Sequence, residues 1–219
     1  MVLFMNYRRN NKRFSVAGRG EYLSTSDFIV KYYTNLDACR KFFFDMKWPT
    51  GYYCEKCGCT HYYFMKSKNC YRCAHCKHDE RLFTNTIFQD NKLPLNVLLY
   101  GLFLIFTSKK GISSLELSEE LKVNYKTACL LQTKARILMK NSNSKKSLDS
   151  SFYESDVAYT GAPSHNGKRG LGTDKQPFLV VLSTEQENKY PLYIKLHEIS
   201  SDSGNIIQAF FDQYVKMYL

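Results

Sequence analysis

Cys54-Glu55-Lys56-Cys57-Gly58 and, further along, Cys73-Ala74-His75-Cys76 are the stretches on which the fold turns. Each holds a C-x-x-C pair, and fifteen residues separate the two pairs. A C-x-x-C turn presents two thiolates from one tight knuckle. Two such knuckles close a tetrahedron around Zn²⁺, with Zn–S distances of about 2.3 Å. The spacing is that of a zinc ribbon carried on hairpins, and Gly58 suits the turn that follows a knuckle. The chain has eight cysteines, so other ligand sets can be written. Cys70 lies three before Cys73, and Cys59 lies two after Cys57. His61, His75 and His78 are nearby nitrogen donors, but four cysteines already fill the shell. The expected zinc ligands are therefore Cys54, Cys57, Cys73 and Cys76. Cys39 and Cys129 sit in apolar helical contexts and read as packing residues.

Working outward, competing uses of the cysteines fit less well. A disulfide framework needs an oxidising compartment, and the apolar run Val2–Met5 is far too short for a secretory signal. A redox C-x-x-C ordinarily stands alone at a helix start. Hydrophobic content of 44% with 15% aromatics describes a folded chain. Its 219 residues have room for two or three small domains. The longest apolar run, Leu93–Phe106, is interrupted by Asn96 and Gly101 and reads as a core helix, with no membrane span expected. Thirty-one basic against 20 acidic residues give a net charge of +11. That excess points to a polyanionic partner, most simply nucleic acid. A cytoplasmic, nucleoid-associated location is the matching expectation.

The chain divides into segments. Residues 1–21 form a basic arm (Arg8, Arg9, Lys12, Arg13, Arg19). Residues 22–47 carry helical spacing from Phe28, Ile29, Tyr32 and Tyr33 on to Ala38, Cys39, Phe42, Phe43 and Met46. Trp48-Pro49 stops that helix and opens the ribbon, 48–90. The ribbon ends in Arg81–Phe88, expected as a β-rich stretch turning at Asn85. Residues 91–141 are helical, and Asn141–Ser151 is a polar linker. Residues 152–219 read as strands at 152–160, 176–184 and 190–199, then a helix at 202–219 capped by Asp202.

Within the helical segment, Ser113–Leu121 makes one helix, with Ser113 as N-cap and Glu116 placed for a capping box. Lys122-Val123-Asn124 is a turn, and Tyr125–Lys140 a second helix. Acidic residues (Glu116, Glu119, Glu120) fall on the first and basic ones on the second, the asymmetry a helix-turn-helix recognition helix requires. The expected DNA contacts are Lys122, Tyr125, Lys126, Lys134, Arg136 and Lys140. In the last segment, Glu154 and Asp156 project from one face of a strand, two like charges that suggest a cation site.

These motifs carry a resemblance. Trp48 through Gly58, Tyr71 through Cys76 and Phe83…Thr86-Ile87-Phe88 look like the N-terminal zinc ribbon of one group of insertion-sequence transposases. These are DDE-type enzymes related to the eukaryotic Merlin elements. The similarity runs on through Leu93-Pro94-Leu95, Gly111-Ile112-Ser113-Ser114 and Asn124-Tyr125-Lys126-Thr127-Ala128. It continues in Glu154-Ser155-Asp156…Tyr159-Thr160-Gly161 and Lys168-Arg169-Gly170…Lys175-Gln176-Pro177. The resemblance implies an α+β multidomain protein: zinc ribbon, helix-turn-helix, then an RNase H-like domain. It also implies double-stranded DNA of the element's terminal repeats as partner. Asp156 stands as first catalytic aspartate and Mg²⁺ ligand, in a site of clustered carboxylates holding two ions about 3.5–4 Å apart.

The chain departs from the family pattern. The strand that would bear a second aspartate, and the helix that would bear the third acid, are not found before residue 219. Glu198, two ladders from Asp156, would lie roughly 9–10 Å away, too far to share one Mg²⁺. Val157 and Asn85 replace an acidic residue and a glycine common in the family. The RNase H-like domain is thus expected to be incomplete, with an open strand edge. Three readings follow: a C-terminally truncated transposase that binds DNA without cutting it, half of an enzyme completed by a downstream product, or a zinc-ribbon regulator; a homo-oligomer or the downstream half of the transposase is the expected protein partner.

Overall fold

The structure, a computed structural model, describes residues 14–15, 22–108, 110–144, 152–161, 175–184, 191–201 and 203–214. The remainder of the basic arm, the linker from 145 to 151, Lys168-Arg169-Gly170 and Asp202 lie outside the described residues. The described chain falls into two units, 1–140 and 141–219.

In the first unit a short antiparallel pair, β1 (Phe14–Ser15) and β2 (Tyr22–Leu23), precedes the helices. Ser24 then opens α1 (Thr25–Phe28) with a reciprocal cap. Its hydroxyl accepts the Asp27 N–H at 3.1 Å, while Asp27 accepts the Ser24 N–H at 3.2 Å. The chain winds on through a wider π-helical turn, Ile29–Tyr33, that no sequence period announces. Asn35 starts α2 (Leu36–Lys47) by accepting the N–H groups of Asp37 and Ala38. Helix α2 stops before Trp48-Pro49, as the sequence leads one to expect.

Three antiparallel strands follow: β3 (Tyr62–Met65), β4 (Cys70–Cys73) and β5 (Asp79–Glu80), in that order across the sheet. Arg81–Phe88 is not the β-rich stretch anticipated. It is a run of turns, with Asn85 at φ 60°. Threonine explains the difference. Thr84 Oγ1 accepts the Arg81 N–H, and Thr86 Oγ1 donates to Phe83 O while accepting the Phe88 N–H. Those side-chain bonds bend the backbone away from a ladder.

Three helices complete the unit: α3 (Leu95–Thr107), α4 (Ser114–Leu121) and α5 (Tyr125–Ser144). Ser113 caps α4 through the Glu116 N–H at 3.0 Å. Lys122 ends it in the left-handed conformation, φ 51°. Asn124 caps α5 through the Lys126 N–H at 2.9 Å. Buried Gln132 ties the pair together, donating to Ile112 O at 2.6 Å and accepting from Ser114 Oγ at 2.9 Å. Gly101 of α3 lets the three helices meet. A Cβ there would stand 2.6 Å from Leu131 Cδ2 and 2.8 Å from Leu121 Cδ1.

One hydrophobic core runs from Phe28 to Ala135. Phe28 stacks on Phe103 with ring centroids 4.1 Å apart, and Trp48 packs against Phe44, Tyr52 and Tyr71. The ribbon and the helices around it are therefore built on shared apolar surface. Lys47 adds an ionic tie, its ammonium 2.6 Å from the fully buried Glu80 carboxylate.

The second unit is an antiparallel sheet of β6 (Phe152–Thr160), β7 (Gln176–Thr184) and β8 (Pro191–Glu198), followed by α6 (Gly204–Tyr214). Strand bounds agree closely with the sequence expectation. Helix α6 covers the face holding Tyr153, Val157, Leu179 and Val181 through Ile206, Ile207 and Phe210. Lys195 is buried on that side, its ammonium 3.7 Å from the Tyr214 ring centre. The opposite face leaves Phe152, Ile194 and Leu196 more than two-fifths exposed, beside Glu154 and Asp156. Strand β6 lies at the sheet edge, with no outer neighbour among the described residues. No helix of the described residues is long and apolar enough to cross a membrane.

Candidate metal centre

The two cysteine pairs fold into matching knuckles. In the first, Cys54 N–H donates to Cys59 O at 2.9 Å; in the second, Cys73 N–H donates to His78 O at the same distance. The offset is five residues in both. The residue after each second cysteine is left-handed: Gly58 at φ 71° and Lys77 at φ 59°. Only the glycine advertised that conformation in the sequence. At Lys77 the knuckle imposes it on a residue that favours it little. Strand β4 delivers Cys73, and Ala74 N–H donates to His61 O, which holds the second knuckle against the strand entry.

The four sulfurs converge. All lie within 4.8 Å of one another, with Cys54–Cys76 and Cys57–Cys73 each at 3.5 Å. A tetrahedral tetrathiolate with Zn–S near 2.3 Å has S–S edges of roughly 3.8 Å, so the cluster fits the ion. The distances are far from the roughly 2.05 Å of a disulfide, and all eight cysteines are free. Cys54 and Cys73 are buried while Cys57 and Cys76 face solvent, a closed inner half and an open outer half. Cys70 and Cys59 stay out of the cluster. Cys70 is buried opposite Met65, and Cys59 Sγ turns to His61 O at 3.8 Å.

The crowding of four sulfurs shows in their acidities. Burial opposes ionisation of Cys73. Backbone hydrogen bonds from Cys76 and His75 and the neighbouring thiols of Cys57 and Cys76 outweigh it, bringing Cys73 down to about 6. At Cys57 the backbone of Cys59 favours the thiolate. Desolvation and the sulfurs of Cys76, Cys73 and Cys54 override it, lifting this thiol to about 12. Four sulfurs this close cannot all ionise unaided. A second sign is Tyr52, whose ring is buried and whose hydroxyl has no hydrogen-bond partner. Burial, then the adjacent Cys54 and Cys73 sulfurs and the Glu80 carboxylate, hold its proton well above the usual phenol range.

The basic residues anticipated as DNA contacts are distributed along and before α5. Lys122, Tyr125, Lys126, Arg136 and Lys140 are exposed, Tyr125 by 54%. Arg136 reaches back to Gln132 Oε1 at 3.3 Å. Lys134 is only partly exposed, its ammonium 5.7 Å from the Phe88 ring centre at the flank of the core. Leu130 and Ile137 share the solvent face with Lys126 and Lys140. Sequence reading passed over these two, although their seven-residue spacing opposite the buried Ala128–Leu131–Ala135 stripe was a usable signal.

Asp156 sits mid-strand on β6, paired with Val180 and exposed, and its carboxylate accepts its neighbour Val157's N–H at 2.8 Å. Glu154 lies two residues back on the same face. Glu198, at the end of β8, pairs with Phe178 of the adjacent β7, which leaves it two strands from Asp156 on β6. Among the described residues the four cysteines are the one group of three or more side chains close enough to hold a metal. The donors around Asp156 do not fit a pair of Mg²⁺ ions as they stand.

No curated protein and no solved structure matches the chain. Residues 35–79, from the cap of α2 to the first residue of β5, match the family model of the transposase zinc-ribbon domain, and the four cysteines of the cluster lie inside that match.

Proposed function

We propose that this protein is a transposase-type DNA-binding protein in which the zinc ribbon and the α4–α5 helix-turn-helix together grip duplex DNA at the ends of a mobile element. The observation that carries the reading is the four-sulfur cluster inside a segment similar to a transposase zinc ribbon. That ribbon shares one core with a helix pair whose outer helix is basic. Zinc, held by Cys54, Cys57, Cys73 and Cys76, supplies structural cross-linking. The chain's own residues do the rest. Gln132 fixes α5 against α4, Lys122 and Lys126 stand at the α5 start, and Lys140 and Arg136 extend the charge along it. Leu130 and Ile137 offer apolar contact of the kind made with thymine methyl groups.

The second unit is proposed as part of an RNase H-like DDE domain, with Asp156 in the position of the first catalytic aspartate. Strand cleavage through Asp156 would need carboxylates from outside the described residues, so no step through Mg²⁺ is assigned. The solvent-open setting of Asp156 and Glu154 equally favours a second reading, DNA binding without catalysis.

The test is titration of zinc-loaded protein into labelled duplex DNA at several salt concentrations. Affinity should fall steeply between about 50 and 200 mM salt, by an order of magnitude or more for several phosphate contacts. Chelation of the zinc should abolish it. Binding that is absent, or indifferent to salt, refutes the proposal.

A further inference from the structure

The outer face of the ribbon sheet carries a group that the duplex-binding reading leaves unused. Strand β3 is an edge strand, and its side chains alternate. Tyr62 and Phe64 share the other face, Tyr62 packed against Phe44, Tyr52 and Tyr71 though still 40% exposed, Phe64 against Tyr71 and beneath the Arg40 guanidinium. Tyr63 turns outward and is 62% exposed. Its neighbours on both sides anchor the strand, so the ring projects from a rigid base.

Two cations flank it. Lys77 lies with its ammonium 6.0 Å from the Tyr63 ring centre, held by a 2.8 Å bond to Ala74 O in the second knuckle. Arg72 stands directly across the ladder from Tyr63. Its guanidinium is fixed by Asp79 through bonds of 2.6 and 2.7 Å. A flat aromatic ring open to solvent, with an ammonium at its edge and an Asp79-paired guanidinium beside it, is the arrangement that stacks a base while the ammonium meets its phosphate. Duplex DNA offers only base edges and backbone to such a surface; an unpaired base offers a π-face. We infer that Tyr63, with Lys77 and Arg72 beside it, is a stacking platform for an unpaired base of a DNA strand. The inference rests on the DNA-binding reading above and deepens it: the Tyr63 face of the ribbon takes an unpaired base beside the duplex that the ribbon and the helix pair grip together.

The experiment compares a 12-nucleotide single strand carrying a central 2-aminopurine with a duplex, using full-length zinc-loaded protein. Tyr63→Ala should weaken single-strand binding about tenfold, within the range expected for losing one stacked base. Its duplex affinity should stay within about twofold of wild type on the same grounds. Tyr63→Phe keeps the ring and should retain single-strand binding. The 2-aminopurine emission should be quenched by wild type and Tyr63→Phe but not by Tyr63→Ala. Unchanged single-strand affinity in Tyr63→Ala, or equal weakening of both DNA forms, overturns the inference. Wild type that binds duplex but not single strand also overturns it while sparing the broader proposal; wild type that binds neither removes both.

Discussion

Replacing Lys47 by methionine tests whether the buried ion pair locks α2 to the ribbon. The Lys47 ammonium is 2.6 Å from Glu80 Oε1, and their side chains are 11% and 0% exposed. The pair is an ionic contact more than a directed hydrogen bond, since neither Glu80 oxygen has a well-aligned donor. Lys47 also donates to Arg81 O at 2.7 Å and Thr84 O at 3.4 Å. The two single substitutions should therefore differ. Lys47→Met strands a buried carboxylate and should cost about 3–5 kcal/mol. Glu80→Gln leaves the ammonium its two carbonyls and should cost less, about 1.5–3 kcal/mol. The double variant Lys47→Met/Glu80→Leu removes both charges and should return to within about 1–2 kcal/mol of wild type. Since a domain is stable by only about 5–15 kcal/mol, the first loss should move the urea midpoint visibly. Trp48 is the one tryptophan and is buried beside Lys47. Its fluorescence therefore follows this unit alone, which avoids the two-unit ambiguity of a global probe. Single losses below about 0.5 kcal/mol, or energies that simply add in the double variant, would refute the reasoning.

Cys73→Ser should lose zinc, measured by metal analysis, and chelation of wild type should make residues 50–88 protease-sensitive. The ion supplies on the order of 10 kcal/mol to such modules, so unaltered cleavage kinetics would count against a structural metal. Zinc uptake should release about one more proton at pH 5 than at pH 7, because Cys73, near 6, is already a thiolate at the higher value and must still deprotonate at the lower. Calorimetry in buffers of differing ionisation enthalpy reads that difference, and identical release at both values contradicts it. Lys122→Gly should raise stability by about 0.5–1 kcal/mol by relieving the left-handed backbone at φ 51°. The same variant should lower the salt dependence of duplex binding by about one phosphate's worth. A salt slope identical to wild type would remove Lys122 from the interface. Gly101→Val should destabilise by about 3 kcal/mol, since even the first carbon lands 2.6 Å from Leu131, and overpacking outweighs the roughly 0.3–0.5 kcal/mol of helix propensity regained. Thermal melting within a degree or two of wild type would show that the leucines simply step aside.

What could be read beforehand was local in origin. The cysteine pairs declare their knuckles because both ligands of a pair lie within one turn. Ser113 caps α4 with its own side chain, as read, while Asn124, read only as a turn residue, caps α5, which runs to Ser144, past the expected Lys140. Strand alternation placed Glu154 and Asp156 on one face correctly. What escaped depends on neighbours distant in sequence. Glu80 reads as a surface acid until Lys47, thirty-three residues earlier, is folded against it. Lys77 reads as a surface lysine until the second knuckle bends it. Arg81–Phe88 has strand composition, yet Thr84 and Thr86 capture the backbone first.

The core shared by the ribbon and its surrounding helices bears on how such a module can be moved. Cut at residues 48–90, the metal-bearing piece would strip Phe44 from Trp48 and Tyr71 and Phe43 from Phe83, a sticky flank instead of a portable finger. The family match itself reaches back to the cap of α2. A chimera meant to transplant this zinc element should therefore carry α2 and α3 with it, because the unit of inheritance is marked by where the rings interlock and not by where the sulfurs lie.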